Sequence, residues 1–357
     1  MAINTLDGAL AGMQYPREIV KALTGTLVIG RPHSLLMTAG IPGAATLGDD
    51  ATKIPNNWAV VSSSVANPTV ITVTVTGSHP WATNDVISIS GHTGSTPALD
   101  GVYTITKTGV NTFTIPVNVT VGGTGGVACG RTSAGGAGLT GYTLTSLPGQ
   151  IPFTNPVSGN TYLARLQGQA TQAGTLMLCD RLWHNGGISP TKITEQVFTS
   201  SVQIPARDAT GTNTGNGVFG AIEVVSATGA GTPTLTLKYT NSGGATGHIA
   251  TNVIATVASS IAGTFYPIGL QAGDVGIQKA ESITLSATWT LTTAVISVVL
   301  YRVLARLELT GAQTPNAIDA LTSGFARLYD DSVPFIVFIP NATTTSNISG
   351  HVIWTQG

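Results

Sequence analysis

Charge is what this chain lacks. Only 9% of its 357 residues are Asp, Glu, Lys or Arg, against about 25% in an ordinary soluble domain, and Gly, Thr, Ser and Asn occupy the places that charges vacate. The formal net charge is −1, so there is no basic face of the kind that holds nucleic acid or an anionic membrane, and neither is expected as a direct partner. Aromatics are sparse too, at 6%, while apolar residues reach 42%. The core should therefore be built mainly from Val, Ile, Leu and Ala, and disorder is excluded for such a mixture. The chain has two cysteines, Cys129 and Cys179, with no CxxC or Cys/His cluster around them. That spacing signals neither a zinc site nor a disulfide framework and reads as two reduced, half-buried thiols. Long apolar runs are absent. The greasiest stretch, 294–300, is broken by Tyr301, Arg302 and Arg306, well short of the ~18 apolar residues of a spanning helix, and reads as a buried strand. The first twenty residues lack a basic segment followed by an apolar one, so no signal peptide is expected.

Catalytic chemistry is also missing. His33, His79, His92, His184, His248 and His351 are scattered without HxH or HExxH spacing and read as turn or surface histidines. His79 and His92 flank turns of one strand and could share a metal only with further ligands. Asp49-Asp50 and Asp330-Asp331 are sequence neighbours, which on a strand point to opposite faces and make poor acid/base dyads. Asp180, Arg181, Trp183 and His184 gather polar and aromatic groups, as an interface or turn does, with a ligand site as the alternative. No Gly-x-Ser-x-Gly elbow or phosphate-binding loop occurs, and Gly229-Ala-Gly231 is a turn rather than a dinucleotide signature. No catalytic, cofactor-binding or metal-binding residue is assigned, and no enzyme activity is expected.

What is present is alternation. In Val70-Ile71-Thr72-Val73-Thr74-Val75-Thr76 the apolar Ile71, Val73 and Val75 share one face and the threonines the other, the pattern of a half-buried strand. Further strands are expected at 85–90, 101–107 and 112–119, with glycine and asparagine turns between them. Glycine runs at 122–126 and 133–138 read as a hinge or linker. Before this module, a short helix is expected over 17–23, after Pro16 and before Gly25, then a strand at 26–29 and an extended arm. After it, strands are expected at 161–166, 174–180, 193–204, 217–226, 232–240, 282–290 and 294–307, followed by a short helix at 315–321. The very apolar run 334–340 should be a strand buried on both faces, inside a sandwich or at a subunit interface. The sum is an all-β chain: an antiparallel β-sandwich or jelly-roll body (131–357), an inserted small β-module (66–130) and an extended N-terminal arm with the first strands (1–65).

Residues 70–116 carry His79, Asn84, Asp85, Val86, Ile89, Gly91, Leu99, Asp100, Gly101, Tyr103, Asn111, Phe113 and Ile115. In this order they resemble a small β-sandwich module of tailed-bacteriophage structural proteins. Asn84 stands where that pattern usually has Gly, and asparagine tolerates the left-handed conformation such a turn needs. The segments AGTFYPIGLQAGD and SITLSATWT are generally similar to tailed-phage virion proteins as well. The resemblance implies a virion component made in the host cytoplasm, most simply a capsid decoration or cement protein. Its partners would be itself, as a homotrimer, and the major capsid protein. A tail, baseplate or fibre protein is the alternative, with tail proteins as partners. From another class, a carbohydrate-binding or glycan-cleaving host-recognition protein would place sugar over Trp81, Trp183 or Trp289, although neither β-helix repeats nor paired acids are evident. A charge-poor surface agrees with lasting subunit contact, since little self-repulsion opposes association.

Overall fold

The computed structural model describes residues 5–44, 57–74, 79, 81, 83, 86–130, 141–147, 149–198, 203–291, 294–324 and 326–357. It is nearly all antiparallel β-structure, with one short helix, Leu6–Ala11, capped by the Thr5 side chain. The chain forms two compact units, Thr46–Thr140 with Gly186–Ile188, and Met1–Ala45 with Gly141–Asn185 and Ser189–Gly357.

The smaller unit is one curved sheet in the order Gly101–Thr104, Val86–Ser90, Val127–Gly130, Asn57–Ser63, Thr69–Val73, Thr112–Ile115 and Thr106–Lys107. Alternation places Thr69, Ile71 and Val73 inward, and Ile71 sits opposite Phe113. The core collects Val60, Ile71, Trp81, Ile89, Leu99, Phe113 and Ile115. Phe113 meets Trp81 and His79 edge to face, at ring-centroid distances of 5.3 and 5.8 Å. Two motif turns are locked together, because the Asp100 carboxylate accepts hydrogen bonds from the Gly91 and His92 backbone N–H groups, each at 2.9 Å. Two expectations need correction. Residues 57–63, expected among the first strands ahead of a module starting at 66, pair with Val127–Gly130 and Thr69–Val73 inside the module. Residues 122–126 are no hinge, since Gly123 and Thr124 bond back to Ser63 and Thr93. A Cβ on Gly123 would stand 2.6 Å from the Ser95 N and 2.7 Å from His92 Nε2, so glycine serves close approach there. The second glycine run, 133–138, lies outside the described residues.

The larger unit has three sheets. One runs Asn316–Asp319, Thr161–Ala170, Ser346–Gln356, Arg17–Leu23 and Gly40–Ile41, with Arg327–Leu328 also pairing Thr161–Ala170. A second runs Phe265–Pro267, Val218–Ser226, Val295–Leu309, Gly174–Ile188, Pro334–Pro340 and His33–Ser34, with Tyr142–Thr143 pairing Gly174–Ile188. These two share one core. Ile19, Leu163, Leu166, Val352 and Trp354 of the first pack with Leu176, Leu178, Leu307, Ile336 and Phe338 of the second, which is the sandwich architecture. The third sheet is Gln196–Val197, Ile277–Leu285, Leu235–Asn241 and His248–Thr251. Val295–Leu309 and Pro334–Pro340 are the two-face-buried strands that their apolar runs demand.

Local punctuation misled at both ends of this unit. Arg17–Leu23 is a strand, with Ile19, Lys21 and Leu23 inward, because pairing with Ser346–Gln356 outweighs the helix signals of Pro16 and Gly25. Asn316–Asp319 is a strand against Thr161–Ala170 rather than a helix. Residues 26–29 form no strand, and among the described residues of the 193–204 stretch only Gln196–Val197 does. Phe113→Ala, which removes the ring at the centre of the module core, should destabilise the protein by about 3–5 kcal/mol, read as an earlier urea midpoint by tryptophan fluorescence.

Candidate functional site

The polar residues singled out in the sequence around position 180 sit on the Gly174–Ile188 strand, which lies between Val295–Leu309 and Pro334–Pro340 in its sheet. They form neither a turn nor a surface. Asp180, Arg181 and Trp183 are fully buried and His184 nearly so. Asp180 accepts from the Val333 backbone N–H at 2.8 Å and from the Ser332 hydroxyl at 3.0 Å. Two cations face the same carboxylate, Arg302 Nη2 at 3.7 Å and Arg207 Nε at 3.8 Å. Arg302 also donates to the Arg327 carbonyl at 2.8 Å and lies 5.1 Å from the Tyr329 ring centroid. Arg207 donates to the carbonyls of Leu144 and Arg181. Next to this group Arg181 pairs with Glu223 at 2.7 Å, both without exposure, and its Nε donates to His184 Nδ1 at 3.3 Å.

This geometry holds charges still rather than moving protons. The oxygens of Asp180 are bound by backbone, hydroxyl and guanidinium groups. Burial, helped by the nearby Arg181 charge, keeps the His184 pKa well below its ordinary value, so the ring stays neutral. Burial likewise pushes the Cys179 thiol far up, which leaves it without nucleophilic thiolate. Beside Arg207 a cavity of about 330 Å³ opens, lined among others by Thr161, Arg327, Tyr329, Asp330 and Asp331. Its wall mixes cations with carboxylates. Asp331 is held by Asn155, which donates to its carboxylate and accepts from its N–H, both at 2.8 Å.

The remaining candidates separate. His33, His79, His92 and His184 are buried, not turn or surface residues. The two that might have shared a metal are engaged elsewhere. His79 Nε2 lies 3.1 Å from the Thr112 carbonyl. The His92 ring spans the Ser63 hydroxyl at 2.9 Å and the Gly125 carbonyl at 2.7 Å. Among the described residues, no three His, Cys, Asp or Glu side chains come together as metal ligands. Trp81, Trp183 and Trp289 are fully buried, so none offers a ring face to a sugar. Asp49 and Asp50, like Asn84 and Asp85 of the phage-like motif and the Cys129 side chain, lie outside what the structure describes.

Sequence reasoning missed Arg207, Arg302 and Ser332, the partners of Asp180, and Glu223, the partner of Arg181, which only the tertiary fold brings together. It also missed Asp208, whose carboxylate accepts from the N–H groups of Thr210, Thr212, Gly215 and Asn216 and from three threonine hydroxyls, at 2.7–3.2 Å. Burial pushes this carboxyl up, yet the bonds from Thr212 and Thr210 hold it far below the usual range. The signal was present, as an Asp heading a Thr- and Gly-rich run is a loop-closing pattern.

No protein-family model matches the chain, and no curated protein does. Among solved structures, that of the infectious bursal disease virus Gt strain aligns over 96% of this chain and 82% of its own, at 14% identity and a TM-score of 0.19. The VP2 subviral particle of infectious bursal disease virus aligns over 97% and 82%, at 12% identity and a TM-score of 0.17. Backbones with such scores do not follow a common path, and the overlaps carry no argument about this chain.

Asp180→Ala would leave Arg207 and Arg302 facing each other without a counter-charge, and should cost about 3–5 kcal/mol in chemical denaturation. A second expectation concerns acid. Burial lowers the His33 pKa to about 4, against about 6.5 when unfolded. Between those values the unfolded chain binds a proton that the folded one refuses, so stability is full above pH 6.5 and falls as the pH drops toward 4. The loss reaches roughly 3 kcal/mol. Unfolding midpoints measured across that window should slope accordingly, and His33→Asn should remove this share of the slope while leaving that of His184.

Proposed function

We propose that this chain is a non-enzymatic structural subunit of a virion, and within that class a decoration or cement protein on a tailed-bacteriophage capsid, working as a homotrimer against the major capsid protein. The observation that carries the reading is where the few charges go. Asp180, Arg181, Arg207, Glu223 and Arg302 are committed to the interior, as are Lys21, Arg31 and Asp208. The surface is thus poorer in ionic groups than the composition already implies. Such a surface associates through backbone, hydroxyl and amide contacts with little electrostatic repulsion. Apolar side chains stand exposed on it, among them Tyr15, Val20, Ile41, Ile249 and Val253, and Val20 and Ile41 are cross-strand neighbours.

The phage-like module supports the virion half of the reading. Its motif residues have structural work in the module, with Leu99 and Phe113 in the core and Asp100 holding two turns together. Shell binding would then be the sum of many weak contacts repeated by symmetry, each gaining from buried apolar area and together gaining from multivalency. The burial of Trp81, Trp183 and Trp289 removes the stacking faces on which a sugar-binding role would rest.

Analytical ultracentrifugation of the purified chain should give a concentration-dependent trimer, and the chain should co-sediment with capsid shells that lack it. A species that stays monomeric and binds tail tubes instead would transfer the assignment to the tail. Turnover of a small compound or polymer by that monomer would end the structural reading.

A further inference from the structure

Among the buried arginines of the larger unit, one differs from the others. Arg181, Arg207 and Arg302 each face a carboxylate, as buried charges must. Arg31 is only 8% exposed, and among the described residues no Asp or Glu lies within ion-pair distance of it. Its Nη2 donates to the Ala255 carbonyl at 3.1 Å and its guanidinium lies 5.6 Å from the Tyr266 ring centroid. Its Nε is buried without a hydrogen-bond partner. The Tyr266 oxygen, meanwhile, is engaged by the Ser260 hydroxyl at 2.6 Å and the Val257 N–H at 3.3 Å.

Arg31 lines a cavity of about 400 Å³ whose walls are the segments 26–33 and 257–264. That volume is within the range of small-molecule sites. Among the described residues no Asp or Glu contributes to the lining, and His33 is the one other ionisable group in it. The rest of the wall combines the apolar side chains Leu27, Pro32, Val257 and Ile261 with hydroxyls. Ser259 in the same wall sits at φ +53°, in the left-handed region that a non-glycine residue occupies at an energetic cost and that recurs at ligand sites.

We propose that this cavity is an anion site, taking a ligand that carries one oxyanion, carboxylate or phosphate, on a small apolar body. The oxyanion would receive the Arg31 donor and supply the counter-charge that the fold withholds, and the aliphatic walls would cover the remainder. The inference is independent of the assembly reading above, since the cavity lies within one copy and can be loaded in monomer or trimer.

The test is calorimetric titration and thermal unfolding of the full chain with sodium hexanoate, with inorganic phosphate and with hexylammonium, which has the same tail and the opposite charge. Saturable binding of hexanoate, of phosphate or of both is expected, with none for hexylammonium, and which anion binds tells the carboxylate source from the phosphate source. Arg31→Met should weaken binding by at least about tenfold, the loss of a charge-assisted hydrogen bond. Its unliganded melting point should be unchanged or higher, because an unpaired buried charge is gone. Should that variant fail to fold, Ala258→Phe, which places a ring in the wall of the cavity, should abolish the titration in a folded chain. Failure of both anions to titrate, equal binding of hexylammonium, or wild-type affinity in Arg31→Met would overturn the proposal.

Discussion

The larger unit depends on a carboxylate placed where charges are least at home. Asp180 lies on an interior strand of the seven-stranded sheet, and its neighbours converge from well-separated parts of the chain: Arg207, Arg302, and the Ser332–Val333 turn. Such a cluster gains little net free energy over a well-packed apolar one. What it does is penalise misassembly. A register slip of Pro334–Pro340 or Val295–Leu309 would leave buried guanidinium groups without their anion, an arrangement far more costly than the correct one. In a chain whose strands are runs of Val, Ile, Leu and Thr with much the same alternation, that penalty distinguishes one pairing from its near neighbours.

The same economy governs the acids in loops and turns. Asp100 ties two module turns, Asp208 gathers an entire loop, and Asp319 accepts from the Leu321 and Thr322 N–H groups and the Thr322 hydroxyl. Asp274 joins the Tyr239 hydroxyl, the Asn241 amide and the His248 ring. Hydrogen bonds to the ionised form lower the pKa values of Asp100, Asp274 and Asp319. In many proteins such residues serve solubility. Here each closes a loop.

Alternation made the β class legible, and it located the strands at 69–73, 235–241 and 334–340 to within a few residues, because a period of two with β-branched residues has few other solutions. The Arg17–Leu23 strand was not legible, since Pro16 and Gly25 mark a helix just as well and only its pairing partner near residue 350 decides. The Gly122–Gly126 run was misread for a related reason: glycine gives a linker its freedom and a crowded turn its clearance, and sequence does not tell the two apart. For the site, the residue types around Asp180 were noticed, but their burial was not. A strand edge and a strand centre share the same local pattern, and only the strand order places Asp180 inside.

That order also sets a schedule for the polypeptide. Ser346–Gln356 lies between Arg17–Leu23 and Thr161–Ala170, pairing with the first over 346–352 and with the second over 348–356. During synthesis these two strands emerge first and must wait, with open hydrogen-bonding edges and half a core, for a partner translated long after them. The named strands of the small module all fall between Asn57 and Gly130, so its sheet can close while the ribosome is still at work. The sandwich, whose contacts join strands far apart in the sequence, closes late and slowly, and until then its waiting edges are the part of the molecule most in need of protection.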